Sequence, residues 1–227
     1  YEIKECDWSS DVCSSDLHND SLLLMAPIDH YIRSKSKFLF RVDDAMKTIQ
    51  SLDYREKILT FSVKKTAVED NYGHLKAGRK LSASNYGDFF EVADFIEKPS
   101  FDISCDKVLW NSGIYCMTIK ACHDMMLDNA PHVLHYSHKA VTTATQRQVN
   151  SSLCGRELIL NNGYFKKNPA LSFDQILTMP YKHGRLVCTD IGTEWEDIGI
   201  WTGIKRLHAK TSIVKRSEEH TSELQSH

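Results

Sequence analysis

The 227-residue sequence has no CxxC pair, no apolar run of membrane-spanning length and no stripe of basic residues. Each absence removes a class of protein. Scattered cysteines without CxxC spacing argue against both a zinc site and a disulfide framework, and point to a reduced, cytoplasmic compartment. A membrane helix needs about 20 consecutive apolar residues, and none of the runs approaches that, so a membrane partner is not expected. A nucleic-acid binder needs Lys and Arg clustered on one face, and they are dispersed here, so no nucleic-acid partner is expected either.

The two ends are themselves unlike protein. Residues 216–227 read RSEEHTSELQSH and residues 7–17 read DWSSDVCSSDL. One codon choice for the tail, reverse-complemented, translates as the head, so both ends are one DNA element read in opposite directions. The element resembles a sequencing-library adapter, and Tyr1–Cys6 fits its continuation. Residues 1–17 and 216–227 are therefore expected to be adapter-derived, non-native segments and leave the fold argument. They carry two basic and eight acidic residues, so residues 18–215 hold 26 basic and 22 acidic ones. Their formal charge is +4 where the whole chain has −2, a balance suited to a small anionic substrate. Five cysteines remain: Cys105, Cys116, Cys122, Cys154 and Cys188. Repeats and low-complexity segments are absent from this body of the chain.

The pattern along residues 18–215 is that of an α/β domain. Residues 22–27 (LLLMAP) form a short continuous apolar run, as in a fully buried strand of a parallel sheet. Phe38, Val42, Ala45, Met46 and Ile49 recur at helical spacing, which predicts an amphipathic helix over residues 35–52. A strand follows over 57–63. Strand, helix, strand argues a βαβ unit with a right-handed crossover. Residues 71–78 predict a turn into a short strand, 89–96 and 113–119 further strands, and 121–128 and 131–144 helices, the second opened by Pro131. Residues 146–167 carry little pattern. A short helix capped by Ser172, a strand over 185–191 and a closing helix over 201–208 complete the reading.

Four motifs can carry chemistry, and each also has a purely structural reading. In Pro27-Ile28-Asp29-His30, Asp29 lies at a strand's carboxyl end, where α/β sheets bind ligands. It can hold Mg²⁺ or simply cap the next helix. In Phe95-Ile96-Glu97-Lys98-Pro99, Glu97 can accept from sugar hydroxyls and Lys98 can meet a phosphate, or the two form a solvated surface pair. In Leu109-Trp110-Asn111-Ser112-Gly113-Ile114, Asn111 offers the donor and acceptor that a sugar hydroxyl needs. Gly113 allows a close backbone approach, though an ordinary strand entry reads the same. In Trp195-Glu196-Asp197-Ile198-Gly199-Ile200-Trp201, Asp197 is either a second metal carboxylate or a helix cap with aromatic packing around it.

The order of these motifs is the more specific signal. PxDH, a Tyr72-Gly73 turn, FIEKP, LWNSGI, SFDQ at 172–175 and WxDxGxW together resemble the mannose-1-phosphate guanylyltransferase branch of the sugar-1-phosphate nucleotidyltransferases. The resemblance covers about Leu22 to Leu207. It implies a partial Rossmann-like, GT-A-like nucleotidyltransferase domain with a mixed sheet flanked by helices. It also implies an Mg²⁺ cofactor held by Asp29 and Asp197, which are thereby the catalytic pair. Gly73, Glu97, Lys98, Asn111 and Gly113 become the substrate-binding set. The implied substrates are GTP and mannose 1-phosphate, giving GDP-mannose and pyrophosphate, in a protein that can be a homo-oligomer.

Three departures qualify the resemblance. The family opens with a Gly-rich loop, an Arg and a Lys that cradle the triphosphate. No such segment precedes Leu22, so the chain is expected to begin inside the domain and to be inactive alone. The turn before Gly73 is plainer than the family's, which leaves other hexose 1-phosphates open. Any domain beyond Lys215 is expected to be missing as well. A non-catalytic, sugar-nucleotide-binding regulatory subunit of the same fold is the alternative; the presence of both Asp29 and Asp197 favours the enzyme.

Overall fold

The computed structural model describes residues 19–51, 53–66, 71–84, 87–98, 108–151, 154–177 and 184–209. Both adapter-like ends, Pro99 and Cys105 lie outside them.

The framework is a six-stranded mixed sheet in the order β1-β6-β3-β9-β5-β4. The strands are β1 (Leu22–Met25), β3 (Ile58–Lys64), β4 (His74–Ser84), β5 (Gly87–Ile96), β6 (Val108–Thr118) and β9 (Leu186–Asp190). One pair, β3–β9, is parallel; the others are antiparallel. The start of β4 also pairs with the start of β6, so the pairings run β6–β3–β9–β5–β4 and back to β6. Helix α1 (Lys35–Gln50) covers one face of the sheet. Helices α2 (Ile119–Asn129) and α5 (Phe173–Leu177) pack on the other.

Strand β3 is buried on both faces. Leu59 and Phe61 join the α1 side, while Ile58 joins the α2 side. That is why ILTFSV reads as nearly continuous apolar sequence. The helical stripe expected on α1 is the buried face: Val42, Ala45 and Ile49 are in the core, with Phe38 and Met46 against it. Arg41 lies there too, 3% exposed. Its Nε donates to the Asp190 carbonyl at 2.8 Å, it pairs with Asp44 at 3.3 Å, and it donates to the Thr189 hydroxyl. The guanidinium therefore pins α1 to the carboxyl end of β9, a role that a hydrophobic pattern does not register.

One expectation is corrected. LLLM is not a fully buried strand of a parallel sheet. It pairs antiparallel with β6, is the outermost strand of the described sheet, and leaves Leu24 37% exposed. The expected strand-helix-strand order holds with a strand inserted: β1 and β3 both pair antiparallel with β6, which lies between them, and so run parallel to each other. Long-range antiparallel pairing decides this, and a local apolar run cannot show it. The unreadable stretch after α3 (Pro131–Thr142) is a hairpin of β7 (Thr145–Ser151) and β8 (Cys154–Ile159), followed by α4 (Asn162–Phe165). Ser172 caps α5 in a reciprocal box: its Oγ accepts from Gln175 N at 3.1 Å, and Gln175 Oε1 accepts from Ser172 N at 2.9 Å.

Candidate functional site

The carboxyl ends of β1, β3 and β9 and the start of β6 share one end of the sheet. A small ribbon is built there. Strand β2 (His30–Ile32) pairs antiparallel with β10 (Trp195–Asp197), Asp197 opposite His30. Ile198 N donates to the Asp29 carbonyl at 3.1 Å. These backbone bonds bring together residues far apart in sequence: ligating atoms of Asp29, His30 and Asp197 all lie within 4.8 Å of one another. Asp29 is exposed and the other two are half-buried.

Gly199 closes this group. Its N–H donates to Asp197 Oδ1 at 2.8 Å. A Cβ at 199 would collide with Asp29 Oδ2 and stand 3.1 Å from Asp197 Oδ1. The glycine thus keeps open the space between the two carboxylates. Gly113 acts differently. It has φ +71 and sits where β6 bulges against β3, between Asn111 and Tyr115. A Cβ there would meet only Pro27 at 3.6 Å and His30 at 4.0 Å, so backbone conformation rather than space demands glycine.

The motif tryptophans part company. Trp195 is buried, whereas Trp201 is 78% exposed. Trp195 meets His30 edge-on at 5.0 Å and Tyr72 at 5.3 Å, and Tyr72 meets Trp110 at 5.2 Å. Arg206 lies over both Tyr72 and Trp110, pairs with buried Glu196 at 2.8 Å and donates to the Tyr72 hydroxyl at 2.5 Å. So the Tyr72-Gly73 turn, the LWNSG strand and the WxDxG segment are packed into one support beneath Asp197. Burial holds the His30 imidazole below its ordinary pKa, against the pull of Asp197, Asp29 and Asp174.

Beside this lies a polar wall. A Cβ at Gly73 would come within 2.8 Å of Glu97 Oε2 and 3.3 Å of Asn111 Cβ. Burial pushes the Glu97 carboxyl above the ordinary carboxylate range, and Asp174 adds to the push. Lys98 stands 3.8 Å from Glu97, is 64% exposed on its side chain, and adopts a left-handed φ of +46.

The Asn111 amide, expected to meet a sugar hydroxyl, is hydrogen-bonded within the protein. Oδ1 accepts from Thr60 Oγ1 at 2.6 Å, and Nδ2 donates to Tyr115 OH at 2.7 Å and to Asp174 Oδ1 at 2.8 Å. Tyr115 OH also donates to Asp174 Oδ1. With both amide protons committed, the wall's open acceptors are Glu97 and Asp174 Oδ2, which has no hydrogen bond among the described residues. The residue-by-residue reading missed Asp174. Its signal was the SFDQ segment, whose capping box turns Asp174 towards β6.

The structure thus defines a three-layer α/β domain with an acidic, ligand-accessible end at the carboxyl termini of its strands. The chain belongs to the nucleotidyl transferase family, whose model matches residues 13–212; the match begins inside the segment read as adapter-derived. It is 27% identical over 196 residues to a mannose-1-phosphate guanylyltransferase of Salmonella muenchen, covering 84% of this chain and 38% of that protein. The chain therefore spans well under half the length of that relative. Two solved structures share the fold at TM-score 0.62. One, described as a mannose-6-phosphate isomerase from Helicobacter pylori, is 18% identical, with 79% of this chain and 65% of that one covered. The other, described as a mannose-1-phosphate geranyltransferase from Thermus thermophilus, is 17% identical, with 82% and 49% covered.

Proposed function

We propose that this domain serves a cytoplasmic mannose-1-phosphate guanylyltransferase, which makes GDP-mannose and pyrophosphate from GTP and mannose 1-phosphate. The observation that carries the reading is the convergence of Asp29 and Asp197 across Gly199. The donors suit Mg²⁺: carboxylate oxygens, one of them exposed to ligand, with room between them. Bound there, Mg²⁺ would neutralise charge on the phosphoryl oxygens. The chain's own residues orient the sugar phosphate. Glu97 and Asp174 accept from ring hydroxyls, Lys98 offers its ammonium to the phosphate, and Gly73 serves the substrate set by leaving room for Glu97 to stand against its turn. Asn111 is a positioning residue that aims Asp174 and Tyr115. A phosphate oxygen of mannose 1-phosphate bonds to the α-phosphorus of GTP, and the bond from that phosphorus to the departing pyrophosphate breaks. We read residues 1–17 and 216–227 as adapter-derived segments that take no part in this chemistry.

The test is pyrophosphate release from GTP and mannose 1-phosphate by the protein that carries this domain. Asp197→Asn should remove turnover and leave mannose 1-phosphate binding largely intact, because the lost charge acts on the transition state. Unchanged turnover in that variant would overturn the assignment.

A further inference from the structure

We propose that His30 is a hydrogen-bond donor beside the ion site and not one of its ligands, because the Trp195 indole fixes its tautomer. The inference rests on the proposed metal site and concerns which cation that site accepts.

Trp195 Nε1 lies 3.1 Å from His30 Nδ1. An indole nitrogen only donates, so Nδ1 must present its lone pair to Trp195. In a neutral imidazole the proton then resides on Nε2. An imidazole ligates a metal through a free lone pair, and this ring has none left: one is taken by the indole and the other nitrogen is protonated. Turning the ring over does not release it, because a ring carbon would then face the indole N–H. Trp195 is 4% exposed, and its donor would be buried without a partner. The indole is itself held, packed between His30 and Tyr72, with Tyr72 braced by Arg206. The tautomer lock is thus part of the site's support.

Two consequences follow. The ion-binding group reduces to the oxygens of Asp29 and Asp197, together with substrate and water. Such an all-oxygen set suits hard cations such as Mg²⁺ and Mn²⁺ and forgoes the imidazole that favours Zn²⁺. The Nε2–H is meanwhile left to donate to a carboxylate or to a phosphate oxygen held at the ion.

Three measurements test this on the full chain. In the metal-free, ¹⁵N-labelled protein, long-range ¹H–¹⁵N spectra should show His30 as the Nε2–H tautomer; an Nδ1–H tautomer overturns the proposal. With Mn²⁺ added, electron spin-echo modulation should show no directly coordinated ¹⁴N. A coordinated nitrogen, lost in His30→Gln, overturns this inference and leaves the carboxylate site standing. A protein that takes up no Mn²⁺ overturns the proposed metal site, and this inference with it. Finally, Trp195→Phe frees the ring and should raise Zn²⁺ affinity by about tenfold or more, through the imidazole it makes available. Unchanged Zn²⁺ affinity in a folded Trp195→Phe protein overturns the indole's role. If that variant does not fold, the two measurements on the unaltered chain decide.

Discussion

Gly199 shows how much a single residue without a side chain can decide. Its backbone has no left-handed φ, so alanine suits the main chain, yet an alanine Cβ would displace Asp29 Oδ2. Gly199→Ala should therefore keep its thermal midpoint and lose Mn²⁺ binding by about tenfold or more, read by titration calorimetry. Retained affinity would show that the ion does not sit between the two carboxylates. Glu97 behaves in the opposite manner, as a site residue that costs stability. Burial raises its pKa in the folded state, so the native state holds this proton more tightly than the unfolded chain does. The stability from that difference is complete at low pH and is lost as pH rises through the folded pKa. Glu97→Gln should melt close to the parent at acidic pH and increasingly above it from the ordinary carboxylate range upward. It should also bind mannose 1-phosphate more weakly. A constant offset in melting temperature across pH would show that Glu97 is not desolvated.

At the scale of elements, the fold depends on a few charged pins between helix and sheet. Arg41 attaches α1 to β9, and it is nearly enclosed. Gly192, with φ +75, gives it room: a Cβ there would stand 2.9 Å from Arg41 Cγ. Arg41→Met should cost on the order of 3 kcal/mol in urea unfolding, because it removes a buried cation from its partners. Arg33 is the control. Its pair with Glu194 is about half exposed on both sides, and Arg33→Ala should cost less than about 1 kcal/mol. Equal losses in the two variants would mean that burial is not what gives Arg41 its weight.

For the molecule as a whole, the exposed margin of the sheet matters. Strand β1 has a hydrogen-bonded neighbour on one side only among the described residues, and LLLM carries no charge to blunt its other side. Such an edge is a template for association. The chain should therefore elute as a broad, concentration-dependent species in size-exclusion chromatography, and Leu24→Lys should shift it towards monomer. A sharp monomer peak from the unaltered chain would show that the β1 edge is covered.

Local pattern was enough for much of this protein. The α1 stripe, the β3 strand, the Ser172 cap and the candidate carboxylates Asp29, Glu97 and Asp197 were all legible, because periodicity, capping and motif spacing act over a few residues. Tertiary structure decided what depends on residues distant in sequence. It made LLLM an outer antiparallel strand and enclosed Arg41 in an otherwise apolar stripe. It separated Trp195 from Trp201, consumed the Asn111 amide protons, and set Asp174 beside Glu97. The reason is physical: a hydrogen bond or a burial is a relation between two partners. When the partner lies on another strand, a residue's own neighbours in sequence carry no record of it.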